Sequence, residues 1–210
     1  DIFAADLVAF IETLGLAPVH LVGHSRGSNI ALLVARDHRA LVRSIVLGEG
    51  GSAAILALSP EASSLPQDTF PQQAREAFRQ GDIESAARIT VEGIVGAGAY
   101  EKTPPEQRRL LMDNIAREFA VRPAGRPATS SPPLTCNEAR QIAVPTLVMM
   151  GERTSTRSRL MTEQMRKCMP GSEYAVLPAA THALHLENPS GFNAIVLEFL
   201  ARRAKSGEKE

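Results

Sequence analysis

Ile2, Phe3, Leu7, Phe10, Ile11 and Leu14 fall on one helical face, and Gly15 ends the run, so the chain is predicted to open on a helix. Residues 19–23 then read as a short buried strand. Residues 25–37 return to helical spacing with Ile30, Leu33 and Val34 inward, and residues 42–47 form a second apolar strand. Strand, helix, strand with short joints marks a parallel unit whose helices cover the sheet. Across residues 51–141 strand character disappears, leaving helical stretches at 71–80, 83–95 and 105–119. Pro123, Pro127, Pro132 and Pro133 block any helix in the stretch that they punctuate. The alternation resumes with a strand at 144–150, a helix at 157–167 and a strand at 173–177. A closing helix runs from Pro189 to Arg203, with Phe192, Ile195, Val196, Phe199 and Leu200 on one face. The class is therefore α/β: a mostly parallel sheet built from 1–50 and 142–205, a helical insertion over 51–141, and a charged tail at 206–210.

The joint between the first strand and the second helix carries Gly23-His24-Ser25-Arg26-Gly27. A serine on a sharp strand-to-helix turn is pushed outward, and the following helix aims its free N–H groups at the same point. In another context the five residues would be a plain turn; between a strand and a helix they make Ser25 a candidate nucleophile. A base is needed, and His182 lies in the loop between the last strand and the closing helix. A loop at the C-terminal edge of a parallel sheet is where catalytic groups gather. His185, three residues on, is its rival. His20 within a strand and His24 beside Ser25 read as structural, and His38 as solvated.

Composition narrows the class. The 23 Lys plus Arg balance 23 Asp plus Glu, which argues against nucleic acid or an acidic membrane surface as partner, because both require cationic excess. No apolar run approaches the roughly 20 residues of a membrane span. Cys136 and Cys168 are too far apart for a Cys-x-x-Cys site and read as reduced, half-buried thiols. Together these features point to a cytoplasmic enzyme or binding domain acting on a small molecule. They imply no metal or organic cofactor.

With residues 19–27, the strand entered through Pro145-Thr146-Leu147, and the loop 178–189, the chain resembles the capped α/β-hydrolase fold: serine esterases, enol-lactonases, C–C hydrolases and cofactor-free haloperoxidase-like esterases. The resemblance implies a serine hydrolase of a small or medium ester, lactone or activated C–C bond, with residues 51–141 as a cap. Its few aromatics, Phe70, Phe78, Tyr100 and Phe119, predict a mainly aliphatic pocket. The backbone N–H of Arg26 would be one oxyanion donor. The first strands of the fold and the loop giving the second donor would lie upstream of Asp1, leaving the strand at 19–23 with an unpaired edge. The triad acid departs from the family: relatives place an aspartate where Thr154 stands here. Glu49, at the exit of the second strand and 24 residues beyond Ser25, is the predicted acid, and Glu152 the alternative. Loss of that aspartate also allows a second reading, a ligand-binding protein of the same fold that no longer catalyses.

Overall fold

The structure is a computed structural model that describes residues 2–121 and 134–204. The prolines at 123, 127, 132 and 133 and the tail at 206–210 lie outside the described residues. Four strands, β1 (Val19–His24), β2 (Val42–Gly48), β3 (Thr146–Gly151) and β4 (Glu173–Leu177), form one parallel sheet in the order β1-β2-β3-β4. Eight helices are named here: α1 (Ile2–Thr13), α2 (Arg26–Asp37), α3 (Phe70–Arg79), α4 (Ile83–Val95), α5 (Pro105–Val121), α6 (Cys136–Arg140), α7 (Thr156–Cys168) and α8 (Pro189–Ala204). Register places the strand exits side by side: His24 opposite Gly48, Gly48 opposite Met149, and Gly151 opposite Leu177. Because all four strands run the same way, whatever follows each of them emerges at one edge. Ser25, Glu49, Glu152 and the loop to His182 all start there.

The strands are apolar on both faces, as a sheet covered on both sides requires. Along β2, Ile45 and Leu47 join Val148 under α1, α2, α6 and α7, whose Val8, Leu32, Val34, Ala139 and Met165 complete that core. Val46 turns the opposite way, to Leu147, Met149 and Leu177, where Val196 and Phe199 of α8 seal the second face. The face proposed for the closing helix is the one that packs.

The described residues divide into two compact units, 2–65 with 134–204 and 66–121. The helical unit is narrower than the insertion expected from sequence. Ile55, Leu134 and Ala139, from its expected flanks, belong to the core beneath the sheet, and the Ser52 hydroxyl bonds to the Leu134 carbonyl. Within the helical unit the aromatics pack on their own neighbours. Phe78 and Phe119 meet edge to face at 5.4 Å, Tyr100 is buried with Ala86, Ala87 and Ile115, and Phe70 lies against Gly93.

Two expectations are corrected. Cys136 and Cys168 are not free thiols: they form a disulfide, with Cα atoms 5.1 Å apart. The sequence separation of 32 hid the pairing, because it is the packing of α6 on the end of α7 that brings the two together. With it goes the premise for a cytoplasmic assignment, since disulfides persist mainly in oxidising compartments. The second correction concerns α1, whose predicted apolar face is only partly covered. Ile11 is buried, whereas Ile2, Phe3, Phe10 and Leu14 are exposed. The helix packs on α2 beside β1, and β1 is an edge strand of the described sheet, with Val22 47% exposed.

Candidate active site

Ser25 joins β1 to α2 with φ 52° and ψ −118°, a left-handed backbone that costs a non-glycine residue on the order of 1–3 kcal/mol. The turn is held from several sides. The Ser25 N–H donates to the Gly48 carbonyl at 2.7 Å, and the Ser28 N–H donates to the Ser25 carbonyl at 3.0 Å. The buried Ser28 hydroxyl bonds to Gly23 O at 2.9 Å. Of the two glycines in the motif only Gly23 is sterically forced: a Cβ there would sit 2.4 Å from the Gly27 carbonyl oxygen, whereas one at Gly27 would meet nothing within 4 Å. The Ser25 side chain makes no capping bond to α2, so its hydroxyl is not spent on the helix.

His182 follows β4 in a loop pinned by Thr181, whose hydroxyl donates to the Glu187 carboxylate at 2.6 Å. Its Nδ1 lies 2.8 Å from Glu49 Oε2. With Nδ1–H given to a carboxylate, Nε2 of the neutral ring is left as the proton acceptor. Glu49 stands at the exit of β2 with φ 51°, its side chain fully buried. Three donors converge on it: the Gly151 N–H at 2.8 Å on Oε1, the Thr154 hydroxyl at 2.7 Å on Oε2, and His182. Burial pushes the carboxyl pKa up, but the bonds from His182, Gly151 and Thr154 together outweigh it and hold the pKa below the ordinary glutamate value. Ser25 and Glu49 are two of the three non-glycine residues with positive φ among those described. Such outliers cluster at functional sites.

The alternative acid lies elsewhere. Glu152 is exposed and accepts the Ala179 N–H at 2.8 Å, tying the exit of β3 to that of β4. Thr154, which displaces the family's aspartate, is itself bonded to Glu49. The other histidines separate cleanly. His24 bonds through Nε2 to the His182 carbonyl at 2.6 Å, and burial, the largest influence on it, lowers its pKa. A neutral His24 therefore donates from Nε2 and ties the elbow to the histidine loop. His185 is exposed and packs its ring 5.1 Å from that of His24. His20 meets Ser44 Oγ at 2.7 Å, and His38 is exposed. His24 has the structural part expected of it, whereas the role of Thr154 and the particular partner of His24 escaped the sequence reading. Thr154 had a signal, its place where relatives carry the acid; His24 had none.

Beside Ser25 lies a cavity of about 270 Å³, lined also by Arg26, Asn29, Glu49, Gly50, Gly51, Arg157, Ser158 and Met161. Met161 is the one large apolar side chain of the lining. Among the described residues no group of three His, Cys, Asp or Glu is placed to hold a metal ion.

Residues 1–195 match the alpha/beta hydrolase family. The chain belongs to that family. It is 24% identical over 217 residues to a 2-hydroxy-6-oxononadienedioate/2-hydroxy-6-oxononatrienedioate hydrolase of Burkholderia vietnamiensis, covering 96% of this chain and 69% of that protein. It is 25% identical over 204 residues to carboxylesterase YbfK of Bacillus subtilis, covering 94% and 62%. Among solved structures, the enol-lactonase of Burkholderia xenovorans superposes with a TM-score of 0.67 at 19% identity, over 94% of this chain and 71% of that one. The chain thus spans about two thirds of the length of these curated relatives. Its fold is that of the alpha/beta hydrolases, and as a member of the family it is an alpha/beta hydrolase.

Proposed function

We propose that the chain is a serine hydrolase cleaving a small or medium ester, lactone or activated C–C bond through Ser25, His182 and Glu49. The observation that carries this reading is the buried hydrogen bond between His182 Nδ1 and Glu49. A carboxylate with no exposure is costly to keep unless it has work to do, and here it fixes the tautomer of a histidine whose loop leaves the sheet at the same edge as the strained Ser25. Relatives that act on esters and on C–C bonds support the same range of reactions.

In the proposed reaction Ser25 Oγ attacks the substrate carbonyl while His182 Nε2 takes its proton. Glu49, held ionised by its three donors, stabilises the imidazolium that results. The negative charge on the carbonyl oxygen is met by the backbone N–H of Arg26 at the start of α2. His182 then passes its proton to the leaving oxygen or carbon. A water, deprotonated by the same nitrogen, releases the acyl group from Ser25. The rival reading, a binding protein that has lost catalysis, takes one of its grounds from Thr154 replacing the aspartate; the bond from His182 to Glu49 speaks against that ground.

A fluorophosphonate probe tests the reading. It is expected to label the chain at Ser25, with labelling and p-nitrophenyl butyrate hydrolysis both abolished in Ser25→Ala. Equal labelling of parent and variant would sink the assignment.

A further inference from the structure

We propose that the cavity beside Ser25 holds a short aliphatic acyl chain of the substrate, and that Met161 in its wall sets the chain length accepted. This rests on the reading of Ser25 as nucleophile and His182 as base, and deepens it to the class of substrate.

Position argues for the acyl part. The leaving group has to lie against His182, which hands it a proton. The cavity is lined from the elbow, the exit of β2 and the start of α7, and among the described residues none of the loop 178–189 lines it. What fills it is therefore the part of the substrate that stays on Ser25.

The character of the wall argues for an aliphatic chain. The wall exposes more apolar than polar surface, and Met161 is the one apolar side chain in it. Two of its polar side chains are turned to the protein. Glu49 is engaged by Gly151, Thr154 and His182, and Asn29 Oδ1 accepts the Gly51 N–H at 2.8 Å. Arg26 is exposed, with its guanidinium carbon 5.5 Å from the centre of the Phe3 ring. An alkyl chain, which asks for contact and no hydrogen bond, fits such a wall.

Met161 is placed to limit that chain. A Cβ on residue 51 would lie 2.5 Å from Met161 Sδ and 3.5 Å from Met165 Cε. The thioether of Met161 thus lies across bare backbone just past the exit of β2 and closes the gap between that exit and α7, with the buried Met165 beside it. At about 270 Å³ the space is small by the standard of ligand pockets, which run from roughly 300 Å³ upward. Losing Cγ, Sδ and Cε in Met161→Ala opens it toward Met165. The stiffer, bulkier ring of Met161→Phe shortens it, whereas the native methionine is unbranched and adjustable.

Two series of esters test this. Among the p-nitrophenyl esters of acetate, butyrate and octanoate, kcat/KM of the parent should favour butyrate over octanoate by about tenfold or more. Met161→Ala should lower that ratio about tenfold, and Met161→Phe should raise the ratio of acetate to butyrate. The ratio of p-nitrophenyl butyrate to 1-naphthyl butyrate, which differ only in the leaving group, should stay within about twofold in both variants. Each reading is a ratio, so a loss of folded protein does not move it. A second arm does not need turnover: Ser25→Ala should bind p-nitrophenyl butyrate more tightly than the octanoate in calorimetry, and adding Met161→Ala should erase the difference. A parent that prefers octanoate, acyl ratios unmoved by both Met161 variants, a leaving-group ratio that moves as far as the acyl ratio, or no binding of either ester to Ser25→Ala would each overturn the proposal. The expected binding pattern, together with no turnover and no fluorophosphonate labelling, would uphold the pocket and overturn the hydrolase reading instead.

Discussion

The Thr154 hydroxyl donates to Glu49 Oε2 at 2.7 Å, so the residue standing where the resemblance places the triad acid supports the carboxylate proposed in its stead. A hydrogen bond to a buried charge is worth about 1.5–3 kcal/mol. Thr154→Val keeps the shape and removes the donor. It should lower kcat on p-nitrophenyl butyrate by about tenfold to a hundredfold and move the Glu49 carboxyl pKa upward. Unchanged turnover would mean that the bond does not orient the carboxylate.

The same geometry predicts that the acid can be moved back. Thr154→Asp introduced into Glu49→Gln should recover part of the lost turnover, because the new carboxylate stands within reach of the atom that His182 now uses. In the parent background the same change places two carboxylates together, which one shared site tolerates only if one is protonated; activity should fall there. Recovery in neither background would show that the strand exit at Thr154 does not face His182.

Stability should decline on mild acidification. Burial holds the pKa of His24 below its ordinary value, and burial together with Arg43 does the same for His20. Between the lowered folded value and the unfolded value near 6.5, the unfolded chain binds more protons. The contribution is therefore fully present above about pH 6.5 and is lost as pH falls through that value toward the folded pKa. The urea midpoint at pH 5.5 should lie below that at pH 7.5, and His24→Gln should reduce the difference. An equal or higher midpoint at pH 5.5 would contradict this.

How far the sequence disclosed these features follows from what each depends on. Strand positions and their parallel order were readable because runs such as 42–47 are apolar throughout and each is followed by a helical repeat. The placement of Ser25 and His182 at one sheet edge followed from that order. Glu49 could be named because it leaves the strand beside Ser25, although nothing in three neighbouring glycines dictates its positive φ. The disulfide could not be read, since the approach of Cys136 to Cys168 depends on how α6 packs against α7. The boundary of the helical unit was misplaced for a similar reason: Ile55 and Leu134 look like any helical or loop residue until the core they enter is known.

The disulfide closes a loop of 32 residues, a constraint on the unfolded chain worth about 3–4 kcal/mol. Reduction, or Cys136→Ser with Cys168→Ser, should lower the Tm of the sheet-bearing unit by about 10 °C in calorimetry. A Tm indifferent to reductant would show that the bond adds no stability.

Along β1 and α1, the exposed Val22, Phe10, Leu14 and Ile2 lie beside an edge strand, an arrangement prone to self-association. The chain expressed from Asp1 should sediment as a concentration-dependent mixture, and Val22→Lys with Phe10→Lys should shift it toward monomer. A sharp monomer peak at all concentrations would contradict this expectation.

The claim on which the account turns is that Glu49, and not Glu152, serves His182. Turnover of p-nitrophenyl butyrate by Glu49→Gln and Glu152→Gln tests it directly. Glu49→Gln should cost on the order of 10³–10⁴ in kcat, the scale seen when a triad loses its carboxylate, with Ser25 and His182 still in place. Glu152→Gln, which alters only a surface bond to the Ala179 N–H, should change kcat by less than about twofold. A large loss in Glu152→Gln with near-normal turnover in Glu49→Gln would contradict the account.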